Sequence, residues 1–251
     1  MKATLFALLY GDYRELHNRL LGSLARYAPK SRIEVRLWLN TVCPETKARV
    51  KMLGFQSFDS AENLPKYTVM RRLFHGSPVK TPWIIWLDDD SYIEKPDWFR
   101  MAEAVIRKHP EASCLGEPWR HEWFPGQWDF VTGCPWFAGL PPALIDGKPG
   151  IVFPIGAYFW LKTEALRRFD WPHEGLAHAH NGGDYFLAEA MRQQGLRFLP
   201  FNHGVVINSA SRRGRNEIPI GCTVDVREIP RRFEAGKSPS TTLHHIRRQF
   251  P

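Results

Sequence analysis

Three aspartates in a row, Asp88, Asp89 and Asp90, follow directly on the apolar run WIIWL (83–87), and no other run in this chain is better suited to chemistry. Five continuous apolar residues bounded by polar chain read as a strand buried on both faces. Carboxylates at the carboxyl end of such a strand sit where the loops of an open α/β sheet converge on a ligand crevice. Adjacent carboxylates repel one another, and a divalent cation or a set of hydrogen-bond donors relieves the repulsion. Cation binding is therefore the expectation, with an acidic turn in which Asp90 or Ser91 caps local backbone as the structural alternative.

Two further groups have suggestive chemistry. Arg71 and Arg72 come shortly before that strand, where a guanidinium could hold phosphate oxygens through paired hydrogen bonds, or could simply face solvent. Trp119, Trp123, Trp128 and Trp136 fall within eighteen residues of Gly- and Pro-containing chain. Their flat faces could stack on sugar rings or on nucleic-acid bases, or be buried as core.

The elements that must position these groups alternate between strand and helix patterns, as βαβ units around a mainly parallel sheet do. ATLFALLYG (3–11) reads as a buried strand, and Tyr13, Leu16, Leu20, Leu24 and Tyr27 recur at spacings of 3, 4, 4 and 3, one face of a helix. IEVRLWL (33–39) predicts a second strand, and Pro44 the first turn of a helix over 44–53. A short strand near 55–58, a helix over 62–75, the WIIWL strand and a helix from Pro96 to about 108 complete the regular part. Residues 117–141 show no clean period and predict irregular structure or bent strands near a site. The pattern resumes with a strand over 151–161, a helix over 163–169, a helix from Gly182-Gly183 to about 194, and a strand over 196–208.

The chain has 251 residues, enough for one large α/β domain with its own core, assigned to 1–208. Residues 209–251 carry nine Lys/Arg against four Asp/Glu and read as a basic C-terminal extension. The formal net charge of +8 suits phosphate-bearing ligands, nucleic acid or an anionic surface without choosing among them. Four cysteines, far apart and without a C-x-x-C pair, argue against a zinc knuckle or disulfide framework and fit a reducing cytoplasm. No apolar run approaches the ~20 residues of a membrane-spanning helix, and the apolar start reads as a strand and not as a cleaved leader.

Several segments, taken in order, resemble the GT-A nucleotide-sugar glycosyltransferases of the family-2 type. LLYGDYRELHNRLLGSL resembles the opening strand and helix, YTVMRRLF before TPWIIWLDDDSY resembles the Arg-bearing helix and the DxD strand, and GAYFWLKTEALRRFDWP followed by GGDYFLAEAMRQQGLRF resembles the acceptor-side segment. The resemblance spans roughly residues 3–208. It implies a Rossmann-like, mainly parallel central sheet flanked by helices, with an irregular acceptor-side region. It also implies an inverting transfer of sugar from a nucleoside-diphosphate donor, UDP-linked by preference, to a hydroxyl acceptor, with Mn²⁺ or Mg²⁺ as cofactor.

Residue by residue, the resemblance implies that Asp90 holds the metal, that Asp88 lies at the ribose or metal edge, directly or through water, and that His203 is an imidazole ligand, the alternative being a satisfied histidine beside the core. Tyr10, Asn40, Arg71, Arg72, Asp88, Asp89 and Arg213 would line the donor site, Asn40 standing where many members carry an acidic residue that reads the base. Arg213 belongs with Arg212 and Arg215 to a basic loop that could close over the diphosphate. Asp184 would take the acceptor proton, although an Asp at a helix start is also an N-cap. His180, with Glu174 and His178, precedes it on the acceptor side, where at least one of the four tryptophans is expected. The acceptor is either a saccharide or glycoconjugate, or, given the basic extension, a hydroxylated base in DNA. Two other readings are a metal-dependent nucleotidyl- or phosphotransferase and a basic nucleic-acid-binding module without catalysis.

Overall fold

The structure is a computed structural model that describes residues 1–124, 126–172 and 183–207. In chain order the elements are β1 (Ala3–Tyr10), α1 (Arg14–Tyr27), β2 (Ile33–Asn40), α2 (Pro44–Leu53), β3 (Gln56–Ser60), α3 (Lys66–His75), β4 (Trp83–Asp88), β5 (Tyr92–Ile93) and α4 (Trp98–Lys108). They continue with β6 (Ala112–Glu122), α5 (Gln127–Thr132), β7 (Leu144–Ile145), β8 (Lys148–Lys162), α6 (Thr163–Phe169), α7 (Gly183–Gln193), β9 (Arg197–Pro200) and β10 (Val205–Val206).

The main sheet runs β3-β2-β1-β4-β8-β6-β9, with β7 added to β8. β1 to β4 are mutually parallel, and β8 enters antiparallel between β4 and β6. Period-2 alternation divides the strands between two cores. Leu5, Ala7 and Leu9 of β1 and Ile85 and Leu87 of β4 pack with Leu20, Leu24, Trp98 and Phe99 of α1 and α4. Phe6, Leu8, Ile84 and Trp86 point the other way, onto Tyr67, Met70 and Phe74 of α3, Phe169 of α6 and Phe186 of α7. Each large side chain so buried contributes about 1.5–3 kcal/mol relative to exposure. The result is a three-layer α/β/α arrangement, the expected class, with the carboxyl ends of β1 and β4 side by side, Leu8 facing Asp88 across the ladder.

Helices α2 and α6 have the anticipated bounds, whereas α3 starts at Lys66 and not at 62. Pro65 stands at its N-cap, and a residue before proline is steered out of the helical region, so Leu64 cannot continue the helix backward. Two sequence readings are corrected more deeply. The stretch from Ala112 to Glu122 is an 11-residue strand paired along β8, with a register shift between Gly116 and Pro118. The predicted strand over 196–208 is two short ones, because Gly204 takes a left-handed turn (φ 73°) and Val205 and Val206 pair with β5 instead of continuing along β6. Among the described residues no helix is long and apolar enough to cross a membrane.

Candidate active site

β4 ends at Asp88, and the chain turns there, with the Ser91 N–H donating to the Asp88 carbonyl at 3.0 Å. Helix α1 holds this turn from one side. The His17 ring, fully buried, brings Nε2 to 3.5 Å from Asp89 Oδ2 and Nδ1 to 3.1 Å from Thr46 Oγ1. Arg19 lies over the Tyr92 ring at 4.6 Å, and Ser23 Oγ accepts the Ile93 N–H at 3.1 Å. Asp89 is therefore turned into the layer of α1, 2% exposed.

Asp88 faces the opposite side. Its Oδ1 accepts from Trp86 Nε1 at 2.7 Å and its Oδ2 from Lys66 Nζ at 2.7 Å. Lys66, the first residue of α3, also donates to the Gly156 carbonyl of β8 at 2.8 Å. Asp90 is 6% exposed. Burial, and then the Asp88 charge, push its carboxyl up to about 6, while Lys66 and Arg19 pull in the other direction. Two carboxylates in this relation, one of them hard to ionise beside the other, are the donor set a hard divalent cation relieves. Among the described residues no group of three His, Cys, Asp or Glu could hold a metal. An ion of the Mg²⁺ type needs only one or two carboxylates and completes its shell with water and substrate phosphates. The residues thus fit Mn²⁺ or Mg²⁺ on Asp88 and Asp90.

Asp184 lies in the first turn of α7, where its Oδ2 accepts the Gly156 N–H at 2.9 Å and its Oδ1 is 3.2 Å from its neighbour's N–H. One residue of β8 thus joins the two ends of the site: Gly156 gives its carbonyl to Lys66 and its N–H to Asp184. A Cβ at Gly156 would stand 2.9 Å from Asp184 Oδ2 and 3.4 Å from Lys66 Nζ, so only glycine lets the carboxylate approach the backbone this closely. Burial raises the Asp184 carboxyl above the ordinary range, opposed by Lys66 and by the Gly156 N–H. Trp171 Nε1 donates to the Gly183 carbonyl at 3.1 Å and fixes where the helix begins.

Beyond Asp184 an aromatic wall extends along β6 and α7. The His121 ring stacks on Tyr185 with centroids 4.1 Å apart and planes 5° from parallel. Gln127 ties the wall together: its Oε1 is 2.9 Å from His121 Nε2 and accepts the Phe124 N–H, and its Nε2 donates to the Tyr185 hydroxyl. Trp123 packs on Tyr185, Phe186 and Trp128, and Trp128 on Phe137. Trp119, 49% exposed, is the tryptophan open to solvent; Trp136, 6% exposed, belongs to the core.

The Asn40 amide donates to Asn63 Oδ1 (2.6 Å) and the Leu64 carbonyl (2.8 Å) and accepts the Leu64 N–H, so it braces the loop before α3. Tyr10 ends β1 with its ring edge-on to Tyr13 at 5.2 Å. Arg71 bonds Asp170 and the Pro172 carbonyl, and Arg72 lies over the Trp38 ring, so both serve packing on the α6 side or against β2. His203 Nε2 is 2.9 Å from Asp97 Oδ1, at the start of α4, a contact that holds that carboxyl below its usual range. His180, Glu174 and His178, and Arg213 with Arg212 and Arg215, lie outside the described residues. Sequence reasoning missed Lys66, Gly156, His17, His121, Gln127 and Tyr185; of these only Gly156, an isolated glycine inside an apolar strand pattern, carried a local signal of close approach.

No family model matches the sequence, and no curated protein matches it. The fold does match solved structures. A mannosyltransferase from Pyrobaculum calidifontis in complex with GDP-Man and Mn²⁺ superposes with a TM-score of 0.59 at 13% identity, over 85% of this chain and 58% of that one. S. aureus TarS 1–349 in complex with UDP gives 0.54 at 17%, over 81% and 58%, and GalNAc-T7 with UDP, GalNAc and Mn²⁺ gives 0.58 at 12%, over 80% and 42%. The chain spans at most 58% of the length of these structures. At such identities the likeness concerns architecture: this chain has the GT-A fold of nucleotide-sugar glycosyltransferases.

Proposed function

We propose that the protein is a divalent-metal-dependent, inverting glycosyltransferase that moves a sugar from a nucleoside-diphosphate sugar, UDP-linked by preference, to a hydroxyl of a saccharide or glycoconjugate. The observation that supports this is the run of contacts Asp88–Lys66–Gly156–Asp184, which links the Asp88 carboxylate at the end of β4 to the Asp184 carboxylate at the start of α7. The fold's likeness to structures holding GDP-Man, UDP and Mn²⁺ supports the same reading.

In this reading Asp88 and Asp90 hold Mn²⁺ or Mg²⁺, which when bound supplies Lewis-acid neutralisation of the departing diphosphate. Asp184 accepts the proton of the attacking hydroxyl. Its carboxylate is oriented by the Gly156 N–H, and its raised pKa makes it a stronger base than an exposed aspartate. A single carboxylate of this kind opposite a leaving group suits direct displacement with inversion. The wall of His121, Trp123 and Tyr185 beside Asp184 favours a sugar ring as acceptor, since such rings present apolar faces to aromatic ones. A DNA acceptor would rest on the basic extension at 209–251, which lies outside the described residues, and on tryptophans able to stack on bases.

The test is a panel of UDP- and GDP-sugars with Mn²⁺, read by thermal shift and by slow donor hydrolysis, for the wild type and Asp90→Ala. At least one donor should stabilise the wild type and be hydrolysed only with metal, and the variant should lose at least about a hundredfold in rate while remaining folded. Undiminished hydrolysis in Asp90→Ala, or in the presence of a chelator, rejects the assignment.

A further inference from the structure

Asp88 holds a lysine where the proposed function puts a metal ion. The Lys66 ammonium is 2.7 Å from Asp88 Oδ2, bonds the Gly156 carbonyl at 2.8 Å, and lies over the Trp86 ring at 5.8 Å. The Lys66 side chain is 12% exposed. Lys66 also opens α3, and a cation in the first turn of a helix stands against the helix dipole, so the carboxylate and not the helix accounts for its position. An ammonium on a flexible stem is a compact charge that can change partners by rotating a few bonds. A divalent ion arriving alone on Asp88 and Asp90 would meet that charge at hydrogen-bond distance. A diphosphate arriving with the ion would offer the ammonium a second anion.

We propose that Lys66 is a resident counter-ion for Asp88: it keeps a bare metal ion off the carboxylates and passes to the diphosphate oxygens when metal and nucleotide enter together. The exchange is of ion pairs only, with no covalent step. It rests on the donor site proposed above, and it makes metal and nucleotide binding mutually dependent, by the same factor in both directions.

The experiment compares the wild type, Lys66→Met and Lys66→Arg, titrated with Mn²⁺ alone by electron paramagnetic resonance, and with UDP and GDP separately at saturating Mn²⁺. Lys66→Met should bind Mn²⁺ alone about tenfold more tightly and nucleotide at saturating Mn²⁺ about tenfold more weakly, the scale of one charge-assisted hydrogen bond. Lys66→Arg should stay near the wild type in both. Damage to the fold would weaken both ligands, so the opposite shifts are the signature. If Lys66→Met does not fold, Lys66→Gln, which retains a donor for the Gly156 carbonyl, carries the same comparison. Mn²⁺ affinity that is unchanged or weaker in the neutral variants, in a protein whose Mn²⁺ binding depends on Asp90, overturns the counter-ion role and leaves the proposed function standing. Absence of any Asp90-dependent Mn²⁺ binding, even with UDP or GDP, overturns both.

Discussion

At the end of β4 each carboxylate is met by a nitrogen group: the Lys66 ammonium stands on Asp88 and the His17 ring beside Asp89. Where β6 meets α7 the work is shared among rings, with His121 flat on Tyr185 and the Gln127 amide bonded to both. Burial there lowers the His121 pKa and favours its uncharged form, so the stack carries no net charge. The first region should respond to cations and anions and the second to shape, with Asp184, buried yet ionisable, on the seam between them.

The largest effect should come from that seam. Asp184→Asn keeps the size and removes the base, so kcat should fall by about 10²–10⁴ while UDP and Mn²⁺ affinities change little. The pH profile gives the sign. A base acts when ionised, and burial raises the Asp184 pKa, so the wild-type rate should climb with pH along a limb above the ordinary carboxylate range, and the limb should vanish in the variant. Lys66, Tyr67, His121 and Tyr185 are the titratable neighbours that share this environment. A profile unaltered by the substitution would break the comparison at its centre.

Next comes Gly156→Ala. The added methyl would meet Asp184 Oδ2 at 2.9 Å, and a displacement of that order in a reacting group costs up to about a hundredfold in rate. Steady-state kinetics beside a thermal melt would show the rate falling with little loss of stability if the role is positional. On the aromatic side the expectation reverses. Gln127→Ala should destabilise by about 1–3 kcal/mol through its unpaired partners, measured by urea unfolding, and leave Mn²⁺ and UDP binding alone. The smallest effect belongs to Trp119→Ala: within about 0.5 kcal/mol of wild-type stability for so exposed a ring, with any change confined to KM for the acceptor.

The same contrast governs how much could be read from the residues. The β1–β4 half is legible because each element has a local cause: the 3-4-4-3 spacing of α1, Pro44 at the start of α2, the unbroken WIIWL strand and the aspartates that end it. β6 is not, since its apolar and aromatic residues make sense only against β8, where Cys114 pairs with Leu161. Lys66 escaped for a similar reason. Nothing within its helix marks it, and its partners are 22 and 90 residues away. Asn40 and His203 sat at informative places in the chain, but their side chains meet Asn63 and Asp97, neighbours that only the packed fold supplies. Types and order along the chain thus located the aspartates, whereas which group stands against each of them is a property of the tertiary fold.

The small β5–β10 ladder ties distant parts of the chain together. Val206 pairs with Tyr92, two positions beyond Asp90, and the Gly204 carbonyl accepts from both Glu94 and Lys95. A pull on Ile207 is thereby delivered to the turn that carries Asp89 and Asp90, so the last described strand is mechanically geared to the aspartates.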